Sequence, residues 1–516
     1  MAVTSLSAAA PQAANKYGIM FAGVLGMIAL IMASTMINVA VPQIMGAYGL
    51  GQDQAHWMSS GFLAAMTVSM LANAAVVTRI GPRNAFLTAI AIFVIASIVG
   101  LNAPNYAVVV GARFTQGFCA GIIQPLVMGT LFLVFEPHER GKAMGLVGMG
   151  IVMGPAVGPI LGGWIVDEIG WRFSFIGAVP FAMMAAVAGL FFMPGRKAGT
   201  RPAAFNPLSF CLVTLATLLF LNGITTGQRE GWWDDGTFAL LFGSACAAIG
   251  FVVLELQSAQ PLIAMRLFTF RLYIMSAIVG IMFGAGMFGS IYLAPILAQL
   301  VHSYSATEAG LMLLPGGIAS MLTFPIAGRL IQRVSPALMI PVGLLLFAIS
   351  NWWLSGSSMA TGFWTLALMI AFGRIGLGVV MPAINYAALD AVSSDLVPHA
   401  SGTLNFLRMT GAAIGVSVLA IILETGIAAG RDEFAGMQTA DNPATAEVLA
   451  DMAAMLAAAG MAPGARGGAT MAYLVDILTL KATEGAFQTA FLVLAVGFVV
   501  AAAAAAVLMR RDRAQP

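Results

Sequence analysis

Three arginines stand inside stretches of sequence that are otherwise apolar, namely Arg113, Arg374 and Arg408. If these stretches cross a bilayer, each charge costs roughly 2.5–3.5 kcal/mol at a helix centre, so its side chain is expected to face a cavity or a polar partner. Arg113 stands about seven residues into its stretch, a depth of roughly 10 Å at 1.5 Å per residue. We favour the cavity over outward snorkelling for Arg113 and leave both interpretations open for the other two. Gln116 and Asn38 are the polar residues expected near Arg113. The candidate cavity residues are Arg113, Gln116, Asn38, Arg374, Asn405 and Arg408.

Glycine recurs at every fourth residue in one stretch, at Gly150, Gly154, Gly158 and Gly162. This spacing places a smooth stripe along one helix face, where the backbone of a neighbouring helix can approach closely. Pro155 lies within the stripe, removes a backbone donor and bends the helix. Ordinary helix packing explains part of the pattern, and a tightly packed seam between two halves of the molecule is the more specific interpretation.

Groups that could carry a proton are scarce inside the apolar stretches. A proton-coupled carrier needs a titratable group that is reached from both sides of the membrane in turn, usually a carboxylate or a histidine. The possible proton sites are Glu424 and Asp390, both near the ends of apolar stretches, and the alternative is that both are solvated loop acids. The histidines and the three cysteines show no metal-ligand or disulfide spacing. The sequence therefore predicts no cofactor, no metal site and no enzyme.

The composition defines the environment of these residues. The chain has 516 residues, of which 60% are hydrophobic and 9% charged, against about 25% charged in soluble proteins. A soluble fold cannot cover so much apolar surface, whereas a bilayer removes that need. The formal charge of +2 argues against nucleic acid as a partner. We therefore predict an all-α membrane protein in contact with lipid, with fourteen spans of about 20 residues or more, near 18–42, 57–78, 84–102, 106–134, 142–165, 173–194, 206–226, 237–256, 272–300, 309–331, 337–355, 361–389, 401–423 and 486–509.

The basic residues predict how these spans are oriented. With the N-terminus inside, alternate connections hold most of the lysines and arginines, and cytoplasmic loops are the ones that carry this excess. We therefore expect both termini, 1–17 and 510–516, in the cytoplasm of a bacterial inner membrane. The more polar segment 424–485, with amphipathic helices predicted around 443–459 and 463–480, then lies outside. The residues of the basic side are Lys16, Arg79, Arg83, Arg140, Lys142, Arg196, Lys197, Arg201, Arg266, Arg271, Arg329, Arg333, Arg510, Arg511 and Arg513.

An internal repeat divides the chain into two similar halves. The set Arg113, Pro137, Gly141 and Gly154 recurs at the same separations as Arg374, Pro398, Gly402 and Gly415. A second pair of matching loops contains Arg79 and Arg83 in the first half and Arg333 in the second. Two such halves separated by a helix pair favour a transporter with its site at their interface. We therefore expect the glycine stripe of the first half to pack against the second-half helix that begins near Ser401.

Four sequence motifs carry a family resemblance. Arg113-Phe-Thr-Gln116-Gly117 is similar to the fourth-helix motif of the major facilitator superfamily, and Gly154-Pro155-Ala-Val-Gly158-Pro-Ile-Leu-Gly162-Gly163 resembles the fifth-helix antiporter motif of its drug exporters. Gly170-Trp-Arg-Phe-Ser-Phe175 and Asn405-Phe-Leu-Arg-Met-Thr-Gly411 resemble signatures of the fourteen-helix EmrB/QacA-type drug:proton antiporters.

The resemblance implies a fold and an activity. The fold would be two six-helix bundles, 18–200 and 261–509, with an inserted helix pair at 201–260. The activity would be efflux of small amphipathic drugs by alternating access, driven by proton entry. The placement of the long outer segment also matches EmrB-like members, which implies a possible periplasmic adaptor as partner; a simple solvated lid is the alternative. By the same resemblance, Arg79, Arg83 and Arg333 join the glycine stripe in a gating and packing set.

The sequence departs from the family where the family carries acids. Ala33, Thr78 and Gln332 occupy positions at which an acidic residue is usual, and none of these side chains titrates in a working pH range. We therefore expect weak or unusual proton coupling. The function predicted first is multidrug-type efflux, and the alternative is a dedicated metabolite or lipid exporter, or flippase, of the same fold with weak or no proton coupling.

Overall fold

The computed structural model describes residues 15–50, 52–196, 205–258, 261–438 and 442–510. Fifteen α-helices and the two short 3₁₀ helices Trp171–Phe175 and Met265–Thr269 make up the ordered elements of these ranges. Fourteen of the helical segments are long and apolar enough to cross a membrane. The α-helices are α1 (Lys16–Tyr48), α2 (Gln52–Ile80), α3 (Pro82–Leu101), α4 (Tyr106–Val134), α5 (Arg140–Glu168), α6 (Val179–Phe192), α7 (Pro207–Glu230), α8 (Asp235–Gln257), α9 (Arg271–Leu300), α10 (Ala306–Leu330), α11 (Pro336–Ser355), α12 (Phe363–Asp390), α13 (Val397–Met437), α14 (Pro443–Ala458) and α15 (Pro463–Arg510).

Local signals in the sequence explain where several helices begin. Asn105 and Asn206 accept hydrogen bonds from backbone N–H groups of the first turns of α4 and α7, which satisfies donors that a helix start leaves unpaired. Ser305 and Glu308 form a reciprocal capping box at the start of α10. Proline occupies the first turn of α3, α7, α11 and α13, where its missing N–H costs nothing.

The outer segment is built differently from the prediction. Two separate amphipathic helices were predicted within 424–485. The prediction is wrong for the second helix, because 463–480 is the first part of the continuous helix α15. Likewise α13 runs on to Met437 instead of ending near 423. At 1.5 Å per residue α13 is about 60 Å long, roughly twice the hydrocarbon thickness. Parts of α13 and α15 therefore project beyond the membrane as an antiparallel pair, with Gly426 and Gly430 facing Ala486 and Ala482.

The two halves repeat one set of helix pairings. In the first half α1 packs on α5, α2 on α4, and α3 on both α4 and α6. In the second half α9 packs on α13, α10 on α12, and α11 on both α12 and α15. The inserted helices α7 and α8 pack mainly on each other and reach the rest of the molecule through α2 and α13.

The halves meet chiefly where α5 and α13 begin. A Cβ atom on Gly145 would lie 2.5 Å from the carbonyl oxygen of Phe324 in α10, and one on Gly402 equally close to the carbonyl oxygen of Met70 in α2. Asn73 in α2 donates a hydrogen bond to the carbonyl oxygen of Pro398 at 3.1 Å. This end of the molecule carries the excess of basic loop residues, so the halves are closed at the side predicted to be cytoplasmic.

The predicted partner of the glycine stripe is wrong. Gly150, Gly154, Gly158 and Gly162 face α1 of their own half, on which a Cβ at Gly154 would press against Ile31 at 2.9 Å. The contact with the second half uses other glycines of α5, Gly141, Gly145 and Gly148, which face α10. The physical reason is that α5 packs tightly on two sides, and the four-residue stripe is the side turned toward α1. The repeat-related Gly411 and Gly415 face α9 in the same way.

Candidate functional site

Arg113 is buried where three helices of the first half meet. Its side chain is 1% exposed. Nε donates to the carbonyl oxygen of Met58 at 3.1 Å, and Nη1 donates to Ala33 O at 3.2 Å and to Gln116 Oε1 at 2.9 Å. The guanidinium also lies 4.5 Å from the centre of the Phe62 ring, within the range of a cation–π interaction. The arginine thus ties α4 to α1 and α2.

Gln116 extends this network to a fourth helix. Its Nε2 donates to Ser97 Oγ of α3 at 2.9 Å, and both side chains are buried. The predicted pairing of Arg113 with Gln116 is therefore present in the structure. The side chain of Asn38, the other expected neighbour, and that of Pro155 lie outside the described part of the structure.

Arg374, the repeat equivalent of Arg113, has different surroundings. It lies beside a small cavity between α9, α11 and α12 that is also lined by Ser290 and Asn351. Within the described residues its guanidinium forms no hydrogen bond or ion pair. Asn351 is 1% exposed, and its Oδ1 also lacks a partner there. The two halves therefore share a backbone plan but differ in the partners of the repeat-related arginines: Arg113 is buried and hydrogen-bonded, whereas Arg374 is half-buried and has no such partner among the described residues.

Arg408 and Asn405 lie together on the buried face of α13. Arg408 is 3% exposed and donates through Nη2 to Asn405 Oδ1. Asn405 Nδ2 in turn lies 3.6 Å from the sulfur of Met128 in α4. Asn405 and Arg408, the candidate cavity residues on α13, therefore lie next to the first half, close to where the two halves meet.

Two buried amides were missed by the sequence interpretation. Gln124 in α4 and Asn385 in α12 are 1% and 0% exposed, and their amide nitrogen and oxygen atoms have no partner among the described residues. The signal that would have found them is the internal repeat, because Gln124 and Asn385 stand at the same separation as Arg113 and Arg374. An unpaired buried amide is costly, so these two positions require an explanation.

A large apolar cavity lies beside the interface of the halves. Its volume is about 710 Å³, and it is bounded by α2, α9 and α13 on one side and by the inserted helices α7 and α8 on the other. Thr67, Phe220, Phe251, Tyr292 and Phe406 are among its lining residues. The size suits a drug-sized organic molecule or part of a lipid.

The other predicted gating residues lie at the closed end of the molecule. Arg83 donates to the carbonyl oxygen of Leu190, while Arg79 and Arg333 are exposed. Asp390 forms an ion pair with Arg140 at 3.2 Å, which joins α12 to α5 across the two halves. Glu424, the other possible proton site, lies on an exposed face of α13.

A second ion pair at the closed end fixes the start of α1. Lys16 Nζ lies 2.5 Å from Glu139 Oε2 in the connection between α4 and α5. The hydrogen bond from Lys16 lowers the pKa of the Glu139 carboxyl below its usual range. This pair belongs to one half and does not bridge the interface.

The sequence is similar to known proteins over most of its length. Residues 23–416 match the family model of the Major Facilitator Superfamily. The chain is 28% identical over 435 residues to an uncharacterized MFS-type transporter, YhcA, of Bacillus subtilis, covering 84% of this chain and 81% of the relative. It is 27% identical over 499 residues to the tetracenomycin C resistance and export protein of Streptomyces glaucescens (95% and 90% covered). It is 25% identical over 433 residues to the lincomycin resistance protein LmrB of Bacillus subtilis (84% and 88% covered).

Solved structures agree on the fold. The human organic anion transporter MFSD10 superposes with a TM-score of 0.62 over 95% of this chain and 99% of its own, at 14% sequence identity. The proton:xylose symporter XylE superposes with a TM-score of 0.58 over 80% and 89% of the two chains, at 13% identity. At such identities the likeness concerns the fold alone. Together with the family match, it confirms the predicted all-α fold with fourteen membrane-spanning helices.

Proposed function

Because the chain belongs to the major facilitator superfamily, we propose that it is a secondary active transporter that exports small amphipathic compounds by alternating access. The fourteen candidate spans fit the fourteen-helix drug:proton antiporter type within that superfamily. The relatives named for tetracenomycin C export and for lincomycin resistance support the choice of drug-like cargo. The observation that carries the proposal is the apolar cavity beside the interface of the halves.

The lining of this cavity suits cargo that partitions into the membrane. Phenylalanine and aliphatic side chains predominate, with a few hydroxyl groups such as those of Thr67, Thr217 and Thr410. Pockets of this kind hold an apolar body and orient it by a small number of polar groups. The inserted helices bound the cavity on its outer side, so we assign them the role of a wall along which cargo enters from the lipid.

Alternating access also requires that the closed end of the molecule can open. To open this end, α5 must separate from α10 and α13 from α2, which breaks the close backbone approach at Gly145 and Gly402. Such smooth glycine contacts have few interlocking side chains, which lets packed helices separate and re-form the same contact. If the basic side faces the cytoplasm, as the distribution of lysines and arginines predicts, the closed end is the cytoplasmic one, and we assign the structure to the outward-facing state.

A dedicated lipid or metabolite exporter is the second candidate. The same cavity favours it, since a lateral apolar space accepts an acyl chain as readily as a drug. The absence of acids at Ala33, Thr78 and Gln332 also favours transport with weak or no proton coupling. A bacterial inner membrane with both termini cytoplasmic is the location proposed for either activity.

The experiment is transport in proteoliposomes with a cavity-filling variant. Ala248 of α8 lines the cavity, whereas Ala245 on the same helix is exposed and does not. A panel containing a lincosamide, a polycyclic aromatic antibiotic and a fluorescent phospholipid would be assayed with and without a pH gradient. We expect Ala248→Trp to reduce transport at least tenfold and Ala245→Trp to leave it near wild type. Export of water-soluble panel members alone, or equal activity of both variants, would overturn the proposal.

A further inference from the structure

The guanidinium of Arg408 is buried with most of its hydrogen-bonding capacity unused. An arginine offers five N–H donors, and the one hydrogen bond of Arg408 to a described residue is the bond to Asn405. Arg113, by comparison, donates to three carbonyl oxygens and to Gln116. Arg408 stands eleven residues after the start of α13, which is a depth of about 16 Å and thus near the membrane centre. A charge at that depth requires partners.

Gln124 lies at the same level on the facing helix. Helices α4 and α13 run antiparallel here, since Gly129 approaches Ser401 and Met128 approaches Asn405. Met128 and Asn405 are in contact and mark one level. Gln124 stands four residues, and Arg408 three residues, farther from the closed end than this level, so the heights of Gln124 and Arg408 differ by about 1.5 Å. A buried amide with two unpartnered atoms therefore stands across from a buried arginine with unused donors.

The second half has an equivalent amide at a different level. Asn385 is the repeat counterpart of Gln124, is fully buried and likewise makes no hydrogen bond to a described residue. Buried polar groups in native proteins are nearly always paired. Tyr386, next to Asn385, contacts Phe132, which lies eight residues nearer the closed end than Gln124, so Asn385 stands below the level of Arg408. Gln124 alone stands level with Arg408, and a ligand bound between these two residues explains its unpaired amide better than a packing defect does.

The charge balance indicates what that ligand is. The acids of the helices stand near membrane ends, as Glu255, Glu308 and Asp390 do, or on the projecting parts of α13 and α15. No acidic position of the sequence therefore falls at the depth of Arg408. A buried cation without a counter-charge carries a large desolvation cost, and an anion brought in by the cargo would remove it.

We infer that Arg408 and Gln124 form the headgroup site of the exporter, and that this site selects amphipathic cargo bearing a carboxylate or similar oxyanion. The inference rests on the proposed export function and adds a substrate class to it. Guanidinium groups bind carboxylates through two parallel hydrogen bonds, and the Gln124 amide adds N–H donors. Asn405 positions the guanidinium through the bond that the structure shows.

The test uses an acid and its ester with identical tails. The probes are 11-(dansylamino)undecanoic acid and its methyl ester, titrated by fluorescence into the full-length protein in nanodiscs at pH 8, with empty nanodiscs subtracted. At this pH the carboxyl group is ionised. We expect wild type to bind the acid about tenfold more tightly than the ester, as charge-assisted hydrogen bonding predicts. Arg408→Gln should abolish this preference and leave the affinity for the ester unchanged.

Further variants separate recognition from folding. Arg408→Lys keeps the charge but loses the two-pronged geometry, so it should retain part of the preference. Gln124→Leu should weaken binding of the acid severalfold without affecting the ester. Arg266→Gln removes an exposed arginine and should retain the full preference. Equal binding of acid and ester by wild type, or a preference that survives both Arg408→Gln and Gln124→Leu, would overturn the inference.

Failure of the headgroup site can be distinguished from failure of the proposed export function. If neutral amphiphiles are exported from proteoliposomes but acid and ester bind alike, the headgroup site alone is wrong. If neither probe binds and no panel compound is transported, the export function itself is wrong.

Discussion

Arg113 Nη1 lies 3.2 Å from the backbone carbonyl oxygen of Ala33, the position at which the antiporter resemblance would place an acid. The guanidinium is thus held by carbonyl dipoles and the Gln116 amide, and no carboxylate of the described residues takes part. Hydrogen bonds from a charged donor are among the stronger ones in proteins. This arrangement makes Arg113 a brace between α1, α2 and α4 that does not depend on a proton.

The first prediction concerns this brace. Arg113→Ala should reduce transport at least tenfold, because it removes the hydrogen bonds that tie α4 to α1 and α2. Insertion and yield in the membrane should stay largely intact. Arg113→Lys should be nearly as impaired, since an ammonium cannot reach the same acceptors. Vesicle transport and quantitative blotting of membranes are the measurements, with Arg329→Ala, an exposed arginine, as control. Normal transport by Arg113→Ala would leave the residue no role beyond packing.

The second prediction concerns the glycine stripe against α1. Gly154→Leu should abolish transport or cause leak, because even a Cβ at this position would meet Ile31 and the backbone of Met32 within about 3 Å. Gly111→Leu serves as control, since Gly111 is exposed and nothing lies within 4 Å of the added Cβ. Transport and the retention of a trapped dye by the same proteoliposomes measure the two effects. Wild-type behaviour of Gly154→Leu would show that α1 and α5 are packed less tightly than in the structure.

The fold could be predicted from the sequence to a considerable extent. Apolar length fixed the membrane class, and the repeat of Arg113 as Arg374 indicated the two halves, because both signals depend on local composition and spacing. The partner of the stripe at Gly154 could not be obtained in this way. A glycine face states that some backbone approaches closely, but the choice between α1 and α13 depends on how six helices pack in three dimensions.

The candidate site could be predicted from the sequence only in part. Charged side chains in apolar sequence stand out, so Arg113, Arg374 and Arg408 can be identified from the sequence. Gln116 continues the helix of Arg113 and was expected as a polar neighbour, which the structure shows it to be. Gln124 and Asn385 were missed because an amide in a helix is unremarkable until its burial and lack of partners are known. The continuity of α15 was missed because Lys481, Glu484 and Gly485 separate the predicted helix 463–480 from the last apolar span and resemble a break between two helices.

The third prediction concerns the projecting helices. Helices α13 and α15 face each other at Gly426 with Ala486 and at Gly430 with Ala482, so residues 434–478 can be replaced by a short Gly/Ser linker without changing this register. If the projection docks a periplasmic adaptor, as the EmrB-like resemblance suggests, the shortened protein should transport normally in proteoliposomes but lose export to the external medium in cells.

The control for this deletion keeps the anchoring contacts of α15. Gln488 donates to the carbonyl oxygen of Ser357, and Glu484 accepts from Met359 N, both of which lie outside the replaced range. Substituting only α14 by a linker of equal length tests whether docking depends on the short helix. Unchanged cellular export by the shortened protein would favour a solvated lid instead.

The last prediction is weak or absent proton coupling. Ala33, Thr78 and Gln332 cannot titrate, and the structure gives the remaining candidates other surroundings. Asp390 is occupied by the ion pair with Arg140, and Glu424 lies on an exposed face of α13.

An ion pair as exposed as that of Asp390 contributes about 1 kcal/mol or less. We therefore expect Asp390→Asn to loosen the closed end slightly, raising the apparent KM less than fivefold. The measurement is transport in vesicles with an imposed pH gradient, comparing wild type with Asp390→Asn and Glu424→Gln. Wild type should respond less than twofold to the gradient. A strong response lost in Glu424→Gln alone would make that carboxyl the proton carrier, and a strong response that survives both substitutions would place the proton path at a group that neither the sequence nor the structure identifies.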